Sequence, residues 1–229
     1  MSAKATKTVQ DLKRLRIFNA AREMLANQGI DQVQFDEIAS GAGVTSLDIE
    51  AYASNPSDLV VFVFNQKMGE LIEEGSLRIN EEASLVDNLV EFSAPILREF
   101  SKEVNISRVY LRSNFFSKGL NTEGLDRNRR RKLEVIRHIV NISQERGEID
   151  RNINVDLLAM HLLLLQSASI RRWMSHTSPD PSSGVEVLSS VFMGQVAAIR
   201  KPPPIRNRPG ASVSRRQVSA RRLRATRSR

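Results

Sequence analysis

Apolar residues recur three and four positions apart along most of the chain, the spacing that keeps them on one side of a helix. Ile17, Phe18, Ala21, Met24 and Leu25 form a first stripe, which stops at Gly29, a residue suited to the left-handed position after a helix. Phe35, Ile38, Ala39 and Ala42 form a second, ending at Gly41-Ala42-Gly43. Thr45 stands three residues before Asp48, an N-cap with an acidic partner, and predicts a third helix over 46–53. Asn55-Pro56 reads as a cap followed by proline in the first turn, where a missing N–H costs nothing. The fourth helix, 57–79, carries Leu59, Phe62, Val63, Phe64, Met68, Leu71 and Ile72 on more than one side, so other helices must wrap it. Further helices are predicted over 85–100, 106–116, 125–144, 155–176 and 185–199. Nowhere do β-branched and polar residues alternate between tight turns, and no repeat is found. The fold class is all-α.

Two short helices around a glycine turn, braced by a third, have the geometry that lays a recognition helix in a DNA major groove. A helical hairpin with no nucleic-acid role fits the same pattern. The residues themselves narrow the choice. Ala20-Ala21 through Gly29, then Phe35-Asp36-Glu37-Ile38-Ala39, Ala42-Gly43-Val44-Thr45 and Asn55-Pro56-Ser57-Asp58-Leu59 resemble, in that order, the first four helices of the TetR (tetracycline-repressor) family. The close match covers about the first quarter of the chain. The resemblance implies an all-helical homodimer, an N-terminal DNA-binding domain, and a C-terminal domain that senses a small molecule. It divides the chain into a basic arm (1–16), a helix-turn-helix domain (17–60), an effector-binding and dimerisation domain (61–200) and an Arg-rich tail (201–229).

Charge complicates that reading. The family usually has basic or aromatic residues at the end of the recognition helix and a lysine opening the fourth; here those places hold Glu50, Ala51, Tyr52, Ala53 and Pro56. Between residues 17 and 60, Arg22 stands against seven acidic residues, a net of −6. Phosphate contacts normally supply much of the affinity for DNA, so this module repels its own ligand. Either Asp48 or Glu50 accepts from a cytosine amino group, or positive charge arrives from elsewhere, or the helices are retained as scaffold and no longer bind DNA. The chain total of +8 hides the imbalance: from Arg200 onward eleven basic residues occur with no acid, leaving 23 basic against 26 acidic before them, a net of −3. The arm adds Lys4, Lys7, Lys13, Arg14 and Arg16 against Asp11. It is expected to be partly disordered, either reaching DNA beside the helix-turn-helix or serving as a solvated leader. The tail is expected to be disordered, meeting nucleic acid or an anionic membrane surface, or simply solvated.

Candidate DNA contacts are Thr45, Ser46 and Tyr52, with Gln34 near a phosphate and Lys13 and Arg14 anchoring the arm. Candidate effector contacts are Phe64, Met68, Phe92, Tyr110, Phe115, Phe116 and His138, a mostly apolar set that suggests a small hydrophobic effector, although aromatic residues at helical spacing also build plain core. The basic run Arg127, Arg129, Arg130, Arg131 and Lys132 could form an anionic-ligand or nucleic-acid patch, although a charge run on a long helix is usually its wet face. The last two helices, one apolar nearly all round, are expected to pair with a second copy, an internal core helix being the competing reading.

Enzymatic chemistry finds no footing. Cysteine is absent, the three histidines (His138, His161, His176) stand apart, and no HExxH, GxxxxGK[ST] or GxGxxG pattern occurs. Neither a cofactor nor a metal is expected. With no apolar leader and no long unbroken apolar run, membrane insertion is not expected and a cytoplasmic location is. The reading is a transcriptional regulator, a repressor released by its effector. The alternative is a TetR-like dimer that has lost specific DNA recognition and serves as a ligand- or protein-binding module.

Overall fold

The computed structural model describes residues 3–28, 30–116 and 121–199, with side chains for 9–28, 30–113 and 121–199. Gly29 and the tail from residue 201, both assigned roles from sequence, lie outside the described residues. Nine α-helices and no strand occur among them: α1 (Ala3–Gln28), α2 (Phe35–Ala42), α3 (Ser46–Glu50), α4 (Pro56–Ser76), α5 (Leu85–Lys102), α6 (Val104–Phe116), α7 (Thr122–Glu145), α8 (Val155–Met174) and α9 (Pro181–Ile199).

The arm is not irregular: α1 begins at Ala3 and runs unbroken into the first expected helix. Its residues explain this, because Ala, Lys, Leu, Arg and Gln are good helix formers and neither Gly nor Pro occurs before Gly29. Gly43 takes the left-handed conformation (φ +61°), which lets its N–H reach Ser40 O and the Val44 N–H reach Ala39 O at 3.0 Å. α3 is shorter than expected, ending at Glu50; Ala51 and Tyr52 form a tight turn, the Tyr52 N–H donating to Ile49 O at 2.8 Å. α9 starts four residues early, because Asp180 caps it by accepting from the Ser183 N–H and Pro181 fits its first turn.

Ile17, Ala21, Leu25, Ile38, Ala39, Ile49 and Ala53 close a small core between α1, α2 and α3. α4 leaves that module and becomes the axis of the larger one, touching α1, α5, α6 and α7. Residues 59–64 on it are all buried, as the apolar wrapping predicted. The α4–α5 packing is so close at Gly75 that an added Cβ would collide with the Phe92 backbone oxygen and lie 2.9 Å from its ring. α9 packs on α5 and α8. It is the one helix among the described residues long and apolar enough to cross a membrane by length and composition; one side of it buries Leu188, Phe192 and Val196, and most of the rest is half-buried or exposed.

Candidate nucleic-acid interface and sensing chamber

Thr45 and Asp48 cap α3 reciprocally: the Asp48 carboxylate accepts from the Thr45 N–H (3.0 Å) and hydroxyl (2.9 Å), and the Asp48 N–H donates to Thr45 Oγ1 (3.3 Å). Lys13 completes the group, its Nζ donating to Asp48 Oδ1 at 2.7 Å. The Lys13 bond, then the two from Thr45, hold Asp48 down at about 2. Asp48 is therefore occupied within the protein, which removes it as an acceptor for cytosine. Ser46 is tied to Asp36 across the turn. Thr45 and Glu50 are exposed, Ser46 half-buried, and Leu47 projects freely at 74% exposure. Gln34, at the start of α2, is exposed and makes no capping bond through its side chain.

Two of the expected contacts face inward. The Tyr52 ring rests on Phe62, centroids 4.9 Å apart, and is half-buried. Arg14 stacks over the same cluster, 5.5 Å from the Phe62 centroid. Arg22, the module's own single base, turns to the larger domain and pairs with Glu99 at 4.0 Å. Among the described side chains of this module, Arg16, which the sequence reading counted in the arm but not as a contact, is left for a phosphate. It is exposed, and its guanidinium lies over the turn, 3.5 Å from where a Cβ on Gly43 would stand. No signal in the sequence separates Arg16 from Arg14; only the helical phase of α1 against α2 and α3 does.

In the larger domain Phe64 stacks on Tyr110 (5.1 Å) with Phe100 beside both. Met68 and Tyr110 line a small cavity of about 30 Å³ with Ile96, Phe100 and Lys132. A second, of about 70 Å³, lies beyond Lys132 and reaches Leu125, Asn128 and Leu163. Tyr110, Lys132 and Ser167 are shared by the two. His138 does not belong to this set. It is exposed in a surface recess with Glu81 and Arg146, because six residues on from Lys132 its side chain leaves α7 about 120° away. Phe92 is fully buried between α4 and α5 and lines neither cavity. The side chains of Phe115 and Phe116 lie outside the described residues. The basic run also divides: Arg127, Arg129 and Arg130 are exposed, Arg131 pairs with Glu73 at 2.9 Å, and Lys132 turns inside, with burial as the chief cause holding its ammonium down at about 8.

Beyond the Arg22–Glu99 pair, the modules are tied through Asn121. Asn121, just before α7, donates to the backbone oxygens of Tyr52 (2.9 Å) and Asp58 (3.0 Å), the two ends of the α3–α4 connection. Asn65 donates to Asn121 O (3.3 Å) and receives α7 through Asn128, which donates to Asn65 O (2.9 Å). Gly124 permits this approach, since a Cβ there would stand 2.9 Å from the Asn65 amide.

The fold has close counterparts among solved structures. The Thermus thermophilus FadR, a TetR-family transcriptional repressor solved with lauroyl-CoA, superposes with TM-score 0.64 at 20% identity, covering 83% of this chain and 97% of that one. The Bacillus subtilis FadR with stearoyl-CoA gives 0.61 at 22%, covering 79% and 98%. The chain has the TetR-family fold. The TetR-like module predicted from residues 17–60 is thus continued by the helices of the larger domain. A curated relative, the fatty acid metabolism regulator protein of Bacillus subtilis (strain 168), is 36% identical over 77 residues, 34% of this chain. The match spans 40% of that relative's length. No family model matches the chain.

Proposed function

We propose that the chain is a dimeric one-component transcriptional regulator, a repressor that holds a near-palindromic duplex and is released by a small hydrophobic effector of the fatty-acyl class. The observation that carries the DNA half is the capped α3 with the cationic flank of α1 laid beside it through Lys13 and Asp48. Thr45, Ser46 and Leu47 face the bases, Leu47 offering an apolar contact for a thymine methyl. Gln34 and Arg16 flank them at the backbone, while Tyr52 and Arg14 brace the end of the reading helix from behind.

The effector class is suggested by the acyl-CoA compounds held by the two FadR structures and by the apolar chamber around Met68, Phe100 and Tyr110. Effector binding favours a widened chamber, and release follows only as far as the effector prefers that form to the DNA-bound one. The second copy docks on the outer face of α8 and α9, where Leu157, Met160, Leu164 and Met193 stand about half exposed. Such a pair sets two reading helices about one DNA turn (~34–36 Å) apart or somewhat more. The reading places the protein in the cytoplasm of a bacterial cell, where neither catalysis nor a cofactor is required of it.

Selection of bound fragments from a random duplex pool at physiological salt tests this. The full chain is expected to enrich a near-palindrome. Leu164→Glu, which puts a carboxylate into the proposed dimer face, is expected to sediment as a monomer and enrich nothing. Enrichment of no sequence by the full chain would leave a TetR-like binding module without specific recognition.

A further inference from the structure

The sensing chamber contains a charge that nothing around it balances. Of the basic run on α7, Arg129 has Asp126 at 2.9 Å and Arg131 has Glu73 at 2.9 Å. Lys132 has neither an ion pair nor a hydrogen bond to any described residue, and no carboxylate lines either cavity it borders. Its surroundings are Met68, Ile96, Phe100 and Leu163, with the hydroxyl-bearing Tyr110 and Ser167 on the two sides. Residual accessibility of Lys132 is consistent with the two cavities it lines, and its ammonium is crowded by protein. A lysine desolvated without a counter-ion is poised for an anion, because attraction between opposite charges grows as the surrounding dielectric falls. A neutral carbonyl offers it far less than a carboxylate does.

Resting on the fatty-acyl reading of the effector, we infer that the effector sets an ionised carboxylate against the Lys132 ammonium and lays its chain along Met68, Ile96 and Phe100. Lys132 then makes the protein a sensor of a free fatty carboxylate rather than of a thioester. The cavities, about 30 and 70 Å³, admit the head group but not a long chain, so the tail must part α6 and α8 from α4. Lys132 stands on the helix whose start is tied to the α3–α4 connection by Asn121, so the widening reaches the reading head.

Proton uptake follows from the same geometry. The other titratable groups facing Lys132 are Arg129 on its own helix and Tyr110 on α6; the lining residues from α4, α5 and α8 carry none. Above about pH 8 the empty protein holds Lys132 neutral, and binding a carboxylate must restore the proton. Affinity for the carboxylate therefore falls as pH rises past that point, by up to about tenfold per unit.

Calorimetric titration of the full chain with dodecanoate, dodecanoyl-CoA and dodecan-1-ol, at about pH 7 and about pH 9.5, tests the inference without any DNA. Dodecanoate is expected to bind tightest and to weaken at the higher pH. Lys132→Met is expected to weaken dodecanoate about thirtyfold or more, to leave dodecan-1-ol within about threefold, and to abolish the pH dependence. Lys132→Gln serves if the methionine variant does not fold, and the wild-type pH series stands without either. Tighter binding of dodecanoyl-CoA than of dodecanoate, equal losses for all three probes, or no binding of dodecanoate would overturn it. Selection of a palindrome alongside any of these results leaves the regulator reading standing, and failure of that selection leaves the carboxylate result intact.

Discussion

Asp48 shows how one side chain can serve two elements. It closes the capping box of a five-residue helix and holds the Lys13 ammonium from α1. Thr45→Ala is expected to lose about 1 kcal/mol in urea denaturation, the usual cost of an N-cap side chain. The acid limb follows from the sign of the shift. The folded pKa of about 2 lies below the ordinary 3.8, so the unfolded chain takes up the proton first as pH falls. The stabilisation from Asp48 is present above about pH 4 and disappears as pH falls toward about 2. Asp48→Asn should show a flatter decline in melting temperature across that window than the wild type. The capping box was legible from the Thr45–Asp48 spacing alone. Lys13 as its partner was not, because a charge on a helix gives no address thirty-five residues away. Lys132 could not be singled out for the same reason: five basic residues within six positions look like a wet face, and only the packing of α7 against α4 and α8 shows which of them turns inward.

Elements were legible where local chemistry marks their ends. Gly43, Thr45 and Asn55 each sit at the helix boundary expected of them, and the side chains of the last two accept the expected N–H bonds. Ends set by less familiar devices were displaced, as at Asp180 before α9 and in the turn at Ala51 and Tyr52. The pocket set suffered from a different limit. Periodicity shows that Phe92 and Tyr110 are buried, but not that one seals a helix contact while the other borders a cavity. Asn121 was invisible in the sequence, an ordinary polar residue in a connection, yet it joins both ends of the α3–α4 link to α7. Asn121→Ala should retain duplex affinity within about threefold in the absence of effector, since the reading head keeps its own core. It should need at least about tenfold more effector for half release, the size of an ordinary coupling energy. Parallel release curves for wild type and variant, measured on one labelled duplex, would assign the tie a packing role only.

At the scale of the molecule the question is how an acidic module holds a polyanion. Its one basic residue, Arg22, is committed to Glu99, and Asp48 is neutralised by Lys13, so among the described residues it is the N-terminal part of α1 that brings positive charge to the face that would meet DNA. This makes α1 more than a brace: the basic stretch expected from sequence to be partly disordered is helical from Ala3, and its phase sets Arg16 over the turn. The proposed dimer would double that contribution, one Arg16 from each copy. The most direct measurement is the salt dependence of binding to the selected duplex, by fluorescence anisotropy, for the full chain and for Arg16→Ala. Each phosphate contact contributes about 0.9 to the slope of log affinity against log salt. The variant is therefore expected to bind more weakly with a slope shallower by about two per dimer, its sequence preference unchanged. An identical slope and affinity in the two proteins would contradict the account, because the reading head would then hold DNA without the charge that α1 lends it.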